Sequence, residues 1–337
     1  MLTFYDPIQA DHAPARELHN GDWADYAECP GRADQLATAF PAAQLPERHG
    51  DEAILAVHDA DYVAFLRAAH DDWLGAGREG DAIPYAFPVV GRRPLTLDRI
   101  DARLGRYGFD AATPIAAGTW AAARAGADGA LAATEAVMSG AVGTALALCR
   151  PPGHHAGRDY FGGYCYLNNA AIAAQAARDA GAGRVAILDV DYHHGNGTQD
   201  IFYDRSDVGF VSLHADPRTD YPFYWGHADE TGEGEGAGHN RNYPLQRGTA
   251  APEFLEALDA AVRRIAEWRP QILVISYGAD TFASDPISAF RLKTEDYPEI
   301  GGRIAALDLP TVIVMEGGYA VDDLGANVGA FASGFAD

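Results

Sequence analysis

Short, mostly apolar runs recur along the chain at residues 2–5, 145–149, 208–213, 271–277 and 310–315, and the one at 185–188 is unbroken. A run of that length bounded by polar residues or glycine reads as a strand buried on both faces, as in a parallel sheet. The stretches between them carry a helical pattern. Residues 51–73, 118–124, 128–139, 168–180, 251–268, 297–307 and 323–331 are predicted helices, and Cys29-Pro-Gly-Arg opens another with proline near its N-terminus. Residues 11–25 show little periodicity and are expected to form a surface loop carrying Glu17. Residues 221–239 read as a Gly- and acid-rich loop. Strands alternating with helices define an α/β class, a mostly parallel sheet covered by helices on both faces. No internal repeat or linker divides the chain, so one domain over residues 1–337 is expected.

One segment breaks the rhythm. Residues 74–117 are rich in Gly, Pro and Arg, with Tyr85, Phe87, Tyr107 and Phe109 scattered through them. A long stretch with weak periodicity inside a compact domain is usually functional. Its aromatic residues argue for a folded, interacting insertion.

Composition sharpens this picture in two ways. Forty-eight acidic against 25 basic residues give a formal net charge of −23, which disfavours nucleic acid and anionic membrane and favours cations. Solubility in a salty habitat would explain the same charge. The three cysteines form no Cys-x-x-Cys and are too few for a disulfide framework. With no signal-like or spanning apolar stretch, a reducing cytoplasm is the expected compartment.

The chemistry concentrates where strands end. After Val185-Ala-Ile-Leu188 come Asp189, Asp191 and His193 at alternate positions, then Gly195, Asn196 and Gly197. Alternate strand residues point the same way, so three ligand-type side chains leave the strand on one side. Other strand ends carry His154-His155, Asp280 and Tyr319. Parallel strands direct their carboxyl ends to one sheet edge, where these groups should meet. Asp191, His193 and Asp280 would make a three-ligand metal set with one position open, the mark of a catalytic zinc. The histidines would serve as general base and acid, and Tyr319 as donor to a developing oxyanion. Each has a plainer reading taken alone: a turn histidine, a helix-capping aspartate, a core aromatic.

The motifs Arg150-Pro-Pro-Gly-His-His155, Phe161-Gly-Gly-Tyr-Cys-Tyr-Leu-Asn-Asn169, Asp189-Val-Asp-Tyr-His-His-Gly-Asn-Gly-Thr-Gln199, Gly278-Ala-Asp280 and Glu316-Gly-Gly-Tyr319 resemble the zinc-dependent histone deacetylase family nearly end to end. Glu17-Leu18, the insertion before Gly118-Thr-Trp120, Asp285-Pro-Ile-Ser288 and Met315-Glu-Gly-Gly-Tyr319 make the bacterial acetylpolyamine amidohydrolase branch the better match.

The resemblance implies the arginase–deacetylase fold and a set of roles. Asp191, His193 and Asp280 would bind Zn²⁺, with Fe²⁺ as a possible replacement in cells. His154, His155 and Tyr319 would be catalytic. Asp189 would hold His154 and share a structural K⁺ with Ser212, Leu213 and the carbonyls of Asp191 and His193. Asn196 stands beside His155 where some relatives have Asp. Gly163, Tyr164, Tyr221 and Ile287 would line the substrate tunnel, Tyr221 in place of an expected phenylalanine. Glu17 and Asp101 would line its mouth, Asp101 reaching in from a second subunit, so that 74–117 builds the contact of a homodimer. The activity implied is removal of acetyl groups from N-acetylated polyamines, with acetate and free amine as products. A protein acetyl-lysine deacetylase is the alternative. A two-metal ureohydrolase is disfavoured because Thr281-Phe282 follows Asp280 with no second carboxylate. A catalytically dead binding protein is disfavoured by the complete catalytic set.

Overall fold

The computed structural model describes residues 1–89 and 96–336. Residues 90–95 of the insertion lie outside the described residues. In chain order the elements are β1 (Leu2–Phe4), β2 (Arg16–His19), β3 (Asp22–Asp25), α1 (Gly31–Ala39), α2 (Glu52–Leu55), α3 (Ala60–Gly75), α4 (Ile100–Tyr107) and α5 (Thr119–Met138). Then come β4 (Thr144–Ala147), α6 (Asn169–Asp179), β5 (Val185–Asp189), α7 (Asn196–Phe202), β6 (Val208–Ala215), β7 (Asn240–Leu245), α8 (Ala251–Trp268), β8 (Ile272–Tyr277), α9 (Tyr297–Ala305), β9 (Thr311–Met315) and α10 (Val321–Ser333).

Among the described residues, seven strands form one sheet in the order β1-β4-β9-β8-β5-β6-β7, and every pairing in it is parallel. The period of two along each strand divides the core. Ala145, Ala147, Val185, Ile187, Val274, Val312 and Val314 face one layer, with Phe65 and Leu66 of α3 and the alanines of α5 and α6. Leu146, Ala186, Leu188, Leu273, Ile275, Ile313 and Met315 face the other, with Leu258 of α8, Ile300 of α9 and Phe331 of α10. Both faces are thus covered, as continuous apolar strands require.

Several sequence expectations change. Residues 11–25 contain an antiparallel ribbon, β2 with β3, rather than an irregular loop. Asn20 (φ 51°) and Gly21 (φ 89°) form its two-residue turn, and this Asn-Gly pair is a hairpin signal in the sequence itself. Residues 118–139 form one helix instead of two. Gly126 and Gly129 do not break it; they lie on its packed face, toward Asn169, Cys149 and Ala147. The 51–73 pattern is split into α2 and α3. Strand β7 had no apolar run to reveal it; it is a polar edge strand, Asn-Arg-Asn-Tyr-Pro-Leu, and an edge tolerates Pro244. The insertion contributes α4, whose Leu104 packs into the α3 layer.

Candidate active site

Four adjacent strands, β4, β9, β8 and β5, deliver their carboxyl-terminal residues to one place. From β5 come Asp191 and His193, from β8 Asp280, from β4 His154 and His155, and from β9 Glu316 through Tyr319. Ligand atoms of Asp191, His193 and Asp280 all lie within 4.8 Å of one another, and the three residues are buried. His193 Nδ1 stands 3.0 Å from Asp280 Oδ2 and 3.4 Å from Asp191 Oδ1. Main-chain donors hold the carboxylates: Tyr192 N gives a hydrogen bond to Asp280 Oδ1 (2.9 Å), Gly317 N to Asp191 Oδ2 (2.9 Å) and His193 N to Asp191 Oδ1 (2.8 Å). Gly278 leaves the space this needs, since a Cβ there would sit 1.9 Å from Asp191 Oδ2.

The electrostatics of the trio call for a cation. Burial, and then repulsion from Asp191, push the Asp280 carboxyl up to about 7. Burial also opposes charge on Asp191, but His154 and His193 outweigh it and hold that carboxyl well below the usual range. His193 is disfavoured as a cation by burial, yet the two carboxylates push it up to about 10. Two buried carboxylates and one imidazole, with positive charge drawn between them, fit a divalent transition ion.

The tandem histidines meet different surroundings. His154 Nδ1 lies 2.9 Å from Asp189 Oδ2. Burial disfavours its charge, but Asp189 and Asp191 raise it to about 10. His155 Nδ1 lies 2.7 Å from the neutral Asn196 Oδ1. Burial, then His154 and His193, lower His155 well below the ordinary histidine value. The two neighbouring imidazoles are thus driven toward opposite charge, His154 toward the cation and His155 toward the neutral form that can accept a proton. Gly163 (φ 55°) belongs to this arrangement, because a Cβ there would stand 2.2 Å from His155 Cδ2.

Tyr319 is held from both sides of its backbone. Asp285 Oδ2 accepts from Tyr319 N (2.6 Å) and Ala320 N (3.1 Å). Arg32 donates to Gly318 O (2.7 Å) and Glu316 O (2.6 Å), with its guanidinium 5.1 Å from the Tyr319 ring centroid. The Glu316 side chain turns back and accepts from Gly153 N (2.6 Å) and His154 N (3.1 Å), tying the histidine turn to the tyrosine loop. Sequence reasoning missed Arg32, Glu316's side chain and Asp285's role. The available signal was a charged residue inside an otherwise apolar or glycine-rich motif.

A cavity of about 480 Å³ opens above the site, lined by His155, His193 and Tyr319 at its base and by Gly163, Tyr164, Tyr221 and Ile287 on its walls. Asp110 also lines it, a carboxylate the sequence reading passed over in the weakly patterned insertion. It accepts from Gly163 N (2.7 Å) and the Tyr221 hydroxyl (2.7 Å), so the tyrosine at 221 has a partner that a phenylalanine would lack. Within a single chain neither expected mouth carboxylate lines the cavity, although Asp101 is expected there only from a second subunit, so the correction falls on Glu17. Asp101 does not line this cavity; it is paired with Arg78 (2.8 Å) and Arg99 (2.6 Å) at the start of α4. Glu17 does not face the opening either. It is 3% exposed behind Tyr164, whose hydroxyl donates to it at 3.1 Å. Of the remaining expected residues, Asp189 at the end of β5 and Ser212 and Leu213 within the neighbouring β6 are fully buried, and Ser212 Oγ lies 2.8 Å from His214 Nδ1.

Burial pushes Glu17 up to about 7, partly offset by the Tyr164 hydroxyl, and its second oxygen has no partner. A carboxyl raised from about 4.5 stabilises the fold below its unfolded value and loses that contribution as pH rises through 7. Glu17→Gln should therefore melt higher than the parent at pH 8 and show little difference at pH 5. Thermal melts of both proteins at the two pH values check this; an equal difference at both would refute it.

A buried trio of metal-ligand type, two imidazoles and a phenol gather at the carboxyl edge of a parallel sheet, the kinds of group that hydrolysis of an amide draws on. The family model for the histone deacetylase domain matches residues 26–335, and the chain belongs to the histone deacetylase family. Its relatives narrow this to the bacterial acetylpolyamine amidohydrolase branch. It is 50% identical to acetylpolyamine amidohydrolase 2 of Pseudomonas aeruginosa, over 99% of this chain and 98% of that protein. It is 47% identical to the acetylpolyamine amidohydrolase of Mycoplana ramosa, over 95% of each. The crystal structure of the acetylpolyamine aminohydrolase from Burkholderia pseudomallei matches with a TM-score of 0.95 at 43% identity, covering 99% of this chain and 98% of that one.

Proposed function

We propose that this protein is a metal-dependent deacetylase of N-acetylated polyamines. The observation that carries the reading is the buried trio of Asp191, His193 and Asp280 beside His154, under an aromatic-walled cavity whose base His193, His155 and Tyr319 form. The names borne by its relatives support the substrate class.

Asp191, His193 and Asp280 would hold one Zn²⁺, or Fe²⁺ in cells. When bound, that ion supplies Lewis acidity at the acetyl carbonyl and lowers the pKa of water. The chain's own residues do the rest. Neutral His155 removes a proton from the attacking water as the new C–O bond forms. The Tyr319 hydroxyl donates to the carbonyl oxygen as it gains charge. As the C–N bond breaks, His155 returns the proton to the leaving amine. His154, paired to Asp189, stays cationic beside the developing negative charge. Asp189, with the Ser212 hydroxyl and the carbonyls of Asp191, His193 and Leu213, would hold a structural K⁺. Tyr164, Tyr221, Gly163 and Ile287 would line the path of the aliphatic polyamine chain, while Asp110 at the wall favours its ammonium groups.

The insertion 74–117 would form a homodimer contact beside the mouth, which its exposed Tyr85, Phe87 and Val89 support. Three free cysteines support a reducing compartment such as the cytoplasm. Among the described residues, no helix is long and apolar enough to cross a membrane.

The deciding experiment compares rates on N-acetylputrescine, N-acetylcadaverine, N-acetylspermidine and an acetyl-lysine peptide. The expected result is higher kcat/KM on the acetylpolyamines, because peptide backbone on both sides of the lysine clashes with a narrow mouth. Preference for the peptide over every polyamine tested would replace this reading with a protein deacetylase.

A further inference from the structure

We propose that Tyr160 and Asp200 are positioning residues that, through Asn196, fix the tautomer of His155. The proposal rests on the reading of His155 as the base. It concerns which ring nitrogen of the neutral imidazole carries the proton, and it follows from the directions in which hydrogen bonds can run.

The chain of contacts begins at the surface. Asp200 is exposed on α7, and its carboxylate can only accept. It receives the Tyr160 hydroxyl at 2.7 Å and Trp225 Nε1–H at 3.2 Å. Tyr160 has one proton. The carbonyl of Asn196, at 3.5 Å, is a much poorer acceptor for it than Asp200. With its proton committed to Asp200, the Tyr160 oxygen offers lone pairs to Asn196. The Asn196 amide nitrogen lies 3.3 Å from that oxygen and 3.4 Å from the carbonyl of His155. Both of those neighbours accept, so they fix the buried amide with its NH₂ on their side. Its oxygen then faces His155 Nδ1 at 2.7 Å. An amide oxygen cannot donate, so Nδ1 must be the N–H. Nε2, on the ring edge beside Gly163 of the cavity wall, is left with the free lone pair.

That is the tautomer a base needs if it is to take a proton on the cavity side. The reverse tautomer would set two acceptors, Nδ1 and the amide oxygen, against each other 2.7 Å apart. The local fold holds the relay in place. A Cβ at Gly157 would stand 2.2 Å from the Tyr160 ring, so only glycine there lets the ring lie where it does. Phe109 meets Tyr160 edge-on at 5.6 Å and stacks on Tyr221 at 5.9 Å, so the same ring buttresses the cavity wall.

The test is made on the Zn²⁺-saturated protein with ¹⁵N-labelled histidine. Long-range ¹H–¹⁵N spectra assign His155 by its loss in His155→Gln. The expected wild-type result is a protonated Nδ1 and an unprotonated Nε2. In Tyr160→Phe the two shifts should move toward a tautomer mixture. On an acetylpolyamine, kcat should fall by roughly 10-fold, a part of what a general base contributes, with KM nearly unchanged. Asp200→Ala should act in the same direction and serves if the phenylalanine variant folds poorly. In an Asn196→Asp background the carboxylate needs no orienting, so adding Tyr160→Phe should cost no further rate. A wild-type Nε2–H tautomer would overturn the proposal. So would unchanged spectra and kcat in both single variants, or an equal loss in the Asn196→Asp background. If no acetylated amine is turned over at all, the functional reading fails while the spectra still decide the tautomer.

Discussion

Tyr319→Phe should lower kcat on an acetylpolyamine by ~10²–10³ while the protein keeps its metal and its fold. The change deletes one hydroxyl and almost no volume. The ring would keep its place, because what holds it is main chain: Asp285 takes the Tyr319 and Ala320 amides, and Arg32 takes the Gly318 and Glu316 carbonyls. What disappears is the donor. Burial raises the Tyr319 phenol well above its ordinary value, so it stays protonated at working pH and donates throughout the reaction. The loss should appear in kcat, because the bond strengthens as the carbonyl oxygen gains charge. Steady-state kinetics with metal content measured on the same samples make the check. Near-normal turnover would reduce Tyr319 to a packing residue of the cavity wall.

Asp191→Ala is expected to have the larger consequence, loss of both metal and activity. Asp191 is one of three side chains whose ligand atoms converge within 4.8 Å, and removing it leaves two ligands for the ion. It is also the acceptor for Gly317 N and His193 N, so its removal frees the loop that carries Tyr319. Elemental analysis of the parent should find one transition ion per chain at this site, and chelation should abolish turnover reversibly. In the variant, added metal should not restore it. Two tightly held ions required for turnover would falsify the one-metal mechanism. Activity surviving complete metal removal would exclude any metal role.

Much of the site was legible because its residues sit at the ends of apolar runs. Strand β5 announces itself by Val185-Ala-Ile-Leu188, but it ends at Asp189, so strand alternation does not place Asp191 and His193; the bend after the strand turns them toward Asp280, while Asp189 pairs with His154. Asp280 and Tyr319 follow β8 and β9 in the same manner. The elements that escaped lacked such a pattern. The β2–β3 ribbon is polar on most of its exposed positions, and β7 alternates asparagines with arginine at a sheet edge.

The sequence by itself determined the parallel α/β sheet, the edge at which the chemistry gathers, and the identity of the metal-type trio, the tandem histidines and the tyrosine. Those follow from local rules: polar groups placed just past the end of an apolar run, the common direction of parallel strands, and the ligand chemistry of Asp and His. Only the tertiary structure decided the surroundings. It buried Glu17 behind Tyr164, turned Asp101 to Arg78 and Arg99, and brought Asp110 to the cavity wall. It also set Asp189 against His154 but Asn196 against His155, driving two adjacent histidines toward opposite charge. No local rule could supply these. Each depends on which side chain from a distant segment occupies the last few ångströms, and that is settled by how the layers close over the sheet edge.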